Sequence, residues 1–178
     1  MGYPMPNEPL RLQMEHVATP LGTMLLVTDT QGRLRALDWA DSEGRMRRLL
    51  QLHYGRQGFD LRMGAVQKHI HGCLDAYWSG DLGALNAVPV KTGGTAFQQS
   101  VWTFLRTISA GHTRSYQEQA RAIGRGSAVR AVAGANGANP VGIVVPCHRV
   151  IGSDGSLTGY AGGIERKRWL LRHEGGNF

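Results

Sequence analysis

The sequence predicts an α/β protein in two parts: a small antiparallel sheet with helices, then a mainly helical half with a helix-turn-helix and an active-site loop. Three observations predict it. Residues 14–39 divide into short β-prone runs separated by turn formers. Two segments after residue 94 each open on a Ser/Thr-x-x-Gln/Glu capping box. Finally, the β-branched stretch VVPCHRVI, residues 144–151, encloses the only cysteine of the second half between proline and histidine.

In chain order, MEHVATPLGTMLLVTD, a QGR turn and LRALDW read as strands, with hairpin breaks at Thr19-Pro20-Leu21-Gly22 and Gln31-Gly32. Two helices follow, SEGRMRRLLQLHY and AVQKHIHGCLDAYW. In the second, Val66, Ile70, Leu74 and Tyr77 recur at helical spacing, and Cys73 reads as a small buried hydrophobe. The turn-rich SGDLGALNAVPVKTGG, residues 79–94, places a boundary near Thr92, dividing a companion domain 1–92 from a second domain 93–178.

Thr95 and Gln98 cap a helix whose Phe97, Val101, Phe104, Leu105 and Ile108 mark one apolar face. Ser115 and Glu118 then open YQEQARAI, which Gly124 ends, and an RGS turn leads to AVRAVAGANGANP. Two short helices joined by a Gly-containing turn have helix-turn-helix form. The second is almost without bulk at Ala128, Ala131, Ala133, Gly134, Ala135 and Gly137, although each interior Gly costs about 1 kcal/mol relative to Ala. Something must approach that backbone closely. A neighbouring helix and a nucleic-acid groove both fit, and Arg114, Arg121, Arg125 and Arg130 favour the groove. The run GIVV reads as a buried strand stopped by Pro146, followed by a GSDGS turn, a loop eased by Gly155, Gly159, Gly162 and Gly163, and the helix ERKRWLLRH.

With 178 residues and 42% hydrophobic content, the chain can bury a core. Two cysteines cannot build a disulfide framework, and no His/Cys cluster has zinc-ligand spacing, so a reducing cytoplasm is expected. The opening MGYPMPNEPLRL lacks an export pattern, and no apolar run approaches a membrane span. The formal charge of +7 points to a polyanionic partner. Its distribution is uneven: residues 1–94 carry ten Lys/Arg against nine Asp/Glu, whereas residues 95–178 carry ten against four.

A cysteine acts as a nucleophile through its thiolate, which needs a base or a positive field. His148 follows Cys147 directly, but neighbours on an extended chain point to opposite sides, so a loop or a bridging water would have to join them. Taken alone, Cys147 reads as either inert packing or a nucleophile. Glu174 after His173 could orient a histidine or simply end a solvated helix, and Tyr116 and Tyr160 could bind a ligand or fill a core. Arg149 reads as a structural ion-pair partner or a substrate contact. Neither GGTAF nor YAGG carries a phosphate-binding fingerprint.

Together these residues resemble the alkylguanine-DNA alkyltransferase family, also called methylated-DNA–protein-cysteine methyltransferases. GTxFQxxVWxxL, SYxxxA, RAVxxAN…NP, PCHRVIG and LTGYAGGIxRKxWLLxHEG occur in family order across residues 93–175. The resemblance implies that Cys147 takes an alkyl group from the six-position oxygen of guanine, once per molecule, with His148 as base through a water, Glu174 orienting it and Tyr116 assisting the departing guanine. Asn139, Val150, Tyr160 and Ala161 would form the substrate pocket. Arg130, Tyr116, Ala128, Asn136 and Arg125 would meet DNA, Arg130 entering where the nucleotide flips out. A methyl group on that oxygen lies in the major groove of a stacked duplex, so extrusion is required. The implied partner is double-stranded DNA containing alkylated guanine, bound by a monomer, with cooperativity along DNA left open.

Ala96, Ser109 and Ala133 depart from residues common in the family and touch helix entry and packing, and Asn136 stands where some relatives carry an apolar wedge. Zinc ligands of some relatives have no counterparts, so neither metal nor cofactor is expected. Two other readings compete. A thiol hydrolase would turn over a small ester or peptide, a role the basic surplus does not support. A non-enzymatic helix-turn-helix regulator or damage sensor would survive loss of Cys147.

Overall fold

The computed structural model describes residues 8–178. The opening MGYPMPN, part of the segment read above as lacking an export signal, lies outside them. Three strands come first: β1 (Leu10–Thr19), β2 (Gly22–Asp29) and β3 (Leu34–Trp39). They form antiparallel neighbours, with Thr19 facing Gly22 at the first hairpin. Thr19 Oγ1 donates to the Gly22 carbonyl at 2.6 Å, and Gly22 takes the positive φ of 112° that the turn requires.

Helix α1 (Glu43–Tyr54) then returns the chain to β4 (Phe59–Met63), which pairs parallel to β1. The sheet is therefore mixed, in the order β3-β2-β1-β4, where an antiparallel one was expected. FDLRM is too short and too polar to announce a strand, and the α1 crossover makes its pairing parallel.

Alternation along β2 and β3 feeds two cores. Leu25, Val27 and Ala36 join Leu12 and Met14 of β1 and pack under Met46, Leu50 and Tyr54 of α1. On the opposite face, Met24, Leu26, Leu37 and Trp39 meet Ile70, Leu74 and Tyr77 of α2 (Lys68–Trp78) and Val101, Trp102 and Leu105 of α3 (Ala96–Leu105). This second core continues into residues beyond 93 without interruption.

Both expected capping boxes form, with reciprocal bonds between Thr95 and Gln98 and between Ser115 and Glu118. They start α3 and the short α4 (Tyr116–Ala122). The next helix, α5 (Val129–Gly137), packs on both. A second, two-stranded sheet joins β5 (Arg114–Ser115) in parallel to β6 (Val150–Ile151), and α6 (Ile164–His173) ends the fold. Among the described residues, no helix is long and apolar enough to cross a membrane.

The GIVV run is not a strand. Val141 forms only an isolated bridge to Leu37, and the chain then folds through tight turns, with Val144 N–H donating to Gly142 O at 2.7 Å and Val145 N–H to Val141 O at 3.0 Å. Ile143 sits at φ 65°, a left-handed conformation that strains a β-branched residue by about 1–3 kcal/mol. Val141, Ile143, Val144 and Val145 are all buried. A wholly buried run has no alternation to distinguish strand from turn.

Candidate active site

Cys147, His148 and Arg149 form one 3₁₀ turn beyond Pro146. A turn separates neighbouring side chains differently from a strand, and here Cys147 is part-exposed while His148 is fully buried. Asn139 fastens the loop that precedes them: its Nδ2 donates to Val145 O at 2.7 Å, and its Oδ1 accepts from Val141 N–H at 3.0 Å.

Inside, His148 Nε2 lies 2.8 Å from Glu174 Oε1, just past the end of α6. Arg149 adds Nε to Oε2 at 2.9 Å and Nη2 to Oε1 at 2.8 Å, and its Nη1 donates to Ile108 O. Burial opposes the charge on Glu174, yet His148 and Arg149 hold its pKa below the carboxylate range. For His148, burial together with the Arg149 and Lys167 charges outweighs Glu174 and lowers the pKa, so the imidazole rests neutral at pH 7. The nitrogen facing an ionised carboxylate carries the proton, which leaves Nδ1 with a lone pair. That buried Nδ1 has no hydrogen-bond partner among the described residues.

Burial pushes the Cys147 thiol up, against the Asn139 amide and the Lys167 and Arg45 charges, so the thiol is protonated at rest and needs a base to react. Its side borders a cleft of about 420 Å³ lined by Tyr116, Arg130, Gly137, Thr158, Tyr160 and Ala161, among others. A larger groove of about 770 Å³ beside β1 and β4 shares none of these residues and has no cysteine or histidine in its lining. The smaller cleft is the one that Cys147 lines.

The expected substrate residues gather around this cleft or brace it. Tyr116 Oη donates to Thr158 O at 3.0 Å, and Val150 O, buried, accepts from Lys167 Nζ at 2.6 Å. Ala161 is exposed and Tyr160 half-buried. On α5, Arg130, Ala131, Gly134 and Gly137 face outward, and an added Cβ at Gly134 or Gly137 would meet nothing within 4 Å. Ala135 points inward, its carbonyl accepting from Trp102 Nε1 at 2.8 Å. Close helix packing thus accounts for Ala135 but not for the bare outer face. Arg125 is exposed and Ala128 half-buried before the helix.

Asn136 has a second set of contacts inside the fold. Its side chain is buried, and its amide exchanges two bonds with Gln119, at 2.7 and 3.0 Å, joining α5 to α4. It thereby holds the helix pair together, while the residue also lines the cleft beside Cys147.

Several residues with no expected role also converge here. Lys167, fully buried, donates to Val150, Thr158 and Gly159 carbonyls, and burial lowers its pKa to about 8 despite Cys147 nearby. In ERKR it is one of three basic residues, and nothing local marks it as the buried one. Arg45 of α1 donates to Asp38 at 2.7 Å and to the Gly137 and Asn139 carbonyls at 2.6 and 3.0 Å, stopping the C-terminal end of α5. Arg166 lies over the Trp39 ring and pairs with Asp41, tying the 158–163 loop to the first sheet.

Comparison with known proteins places these features in a family. Residues 96–176 match the family described as 6-O-methylguanine DNA methyltransferase, DNA binding domain. A methylated-DNA–protein-cysteine methyltransferase of Shigella flexneri is 48% identical over 93% of this chain and 97% of its own. The structure of Mycobacterium tuberculosis OGT in complex with DNA superposes with a TM-score of 0.73 at 39% identity, covering 93% of this chain and 92% of that one. An O6-methylguanine-DNA methyltransferase from Pyrococcus kodakaraensis gives 0.67 at 28% identity, over 92% and 99%.

Proposed function

Because the chain belongs to the methylated-DNA–protein-cysteine methyltransferase family, we propose that it reverses DNA alkylation at Cys147, accepting the group from the six-position oxygen of a guanine flipped out of the duplex. The carrying observation is the arrangement of Cys147 on an open cleft with a buried His148–Glu174 pair behind it, the His148 Nδ1 having no partner among the described residues. DNA repair by methyl transfer is the family's activity, and DNA is the partner.

His148 Nδ1, through a bridging water, takes the Cys147 proton, and Glu174 stabilises the imidazolium that forms. The thiolate attacks the alkyl carbon as its bond to the guanine oxygen breaks, and that electron pair leaves with the guanine. Tyr116 exchanges its bond to Thr158 for one to the departing base, offsetting the charge that develops. A thioether remains on Cys147, so each molecule reacts once. Ala161 N–H and the Cys147 and Val150 carbonyls line the base pocket, beside Tyr160 and with Asn139 bracing the loop.

DNA binding and transfer belong to residues 93–178, with 1–92 as companion domain. The basic surplus of that half meets phosphate, while Arg130, Arg125 and the small outer face of α5 from Ala128 onward lie along the groove. The protein works as a monomer in a reducing cytoplasm, which keeps Cys147 as a free thiol. No cofactor enters the scheme.

The test is intact-protein mass spectrometry with peptide mapping after mixing with a duplex carrying one O6-methylguanine. One methyl on Cys147 per molecule is expected. An unmodified protein that still binds the duplex would support the damage-sensor reading instead.

A further inference from the structure

Tyr77 lies on α2, in the half of the chain that does not carry Cys147, and is fully buried. Its hydroxyl donates to Glu174 Oε1 over 2.8 Å. The same oxygen accepts from His148 Nε2 and from Arg149 Nη2, each at 2.8 Å, so three donors share it. The ring meets Trp78 and His173 edge-on, both at 5.1 Å, and the Tyr77 carbonyl accepts from His173 Nε2 at 2.8 Å. Neither ring nor backbone is free to turn the hydroxyl elsewhere. Bulk alone would be served by phenylalanine, without the cost of burying a hydroxyl.

We propose that Tyr77 is a positioning residue for the transfer, setting through Glu174 how strongly His148 takes up a proton. This rests on the reading of His148 as the base. A donor bound to a carboxylate oxygen draws off part of the charge felt by the other donors. Removing the Tyr77 hydroxyl leaves more of that charge for His148 Nε2–H, which favours imidazolium. The remaining groups facing the pair are Arg149 and Lys167, which disfavour imidazolium, with Cys147 and Tyr160 toward the cleft and His173 against the Tyr77 ring. All stay in place when only the hydroxyl is lost.

The experiment is Tyr77→Phe in the full chain, with ¹⁵N-labelled histidine. The His148 midpoint, followed by NMR, should rise by about 0.5–1 pH unit. The acid limb of single-turnover transfer from an O6-methylguanine duplex should rise with it. An unmoved His148 midpoint overturns the proposal, because a packing role changes melting temperature but not this titration. A raised midpoint with an unmoved acid limb sustains the hold of Tyr77 on His148 and instead overturns His148 as the base. If the phenylalanine variant does not fold, 3-fluorotyrosine placed at position 77, a stronger donor, should lower the midpoint. No change, or a rise, overturns the proposal there too.

Discussion

His148 Nε2 and Glu174 Oε1 lie 2.8 Å apart, each with its side chain almost wholly out of water, although 26 residues separate them in the chain. A carboxylate in that position must stay ionised for the site to hold together. Its pKa is lowered from the ordinary 4.5, so its stabilising contribution is complete above about pH 4.5 and is lost as pH falls through the folded-state value. Glu174→Ala leaves Arg149 buried without its partner and should cost about 3–5 kcal/mol at pH 7. It should also flatten the acid limb of stability. Urea unfolding from pH 3 to 7 checks both.

Arg130 stands exposed at the lip of the cleft, one residue into α5. If it fills the space a flipped nucleotide leaves, Arg130→Ala should slow transfer from duplex about tenfold or more, since flipping costs a few kcal/mol and each 1.36 kcal/mol is a decade. Transfer from a free alkylated guanine base should change little. Equal losses on both substrates, measured by quenched single-turnover kinetics, would remove Arg130 from the flipping step.

Asn136 and Gln119 satisfy each other inside the helix pair. Asn136→Ala leaves the Gln119 amide buried and unpaired, at about 1–3 kcal/mol. Replacing both by leucine should recover much of that loss, because neither polar group is then stranded. A double-mutant cycle on chemical denaturation reads the coupling directly.

Arg45 couples the first sheet to the end of α5 through Asp38, Gly137 and Asn139. Arg45→Met strands Asp38, whose pKa burial already raises, and should destabilise by about 3 kcal/mol or more. Arg45→Met with Asp38→Asn should regain most of the stability. Duplex transfer by the double variant should remain slow, because the α5 carbonyls still lack their donor. Full recovery of transfer would reduce Arg45 to a structural ion pair.

How much could be read before folding depended on the range of each interaction. The Thr95–Gln98 and Ser115–Glu118 boxes were legible because both partners lie three residues apart, and both formed. The hairpins of β1 to β3 were legible from turn residues and alternation. β4 was not, since its pairing depends on where α1 returns the chain. The GIVV run misled because complete burial carries no periodicity, and its turns depend on Asn139 and the bridge to Leu37.

By itself the sequence determined the α/β class, the order of motifs, the place of Cys147 between Pro146 and His148 and the surplus of positive charge in residues 95–178. These are properties of local spacing and of composition. Only the tertiary structure decided which polar side chains leave water. Lys167 became the buried cation of ERKR, Asn136 paired with Gln119, and Tyr77 reached Glu174 across 97 residues. Burial changes the energy of a polar group by more than its identity does, and it is set by neighbours that the linear chain keeps far apart.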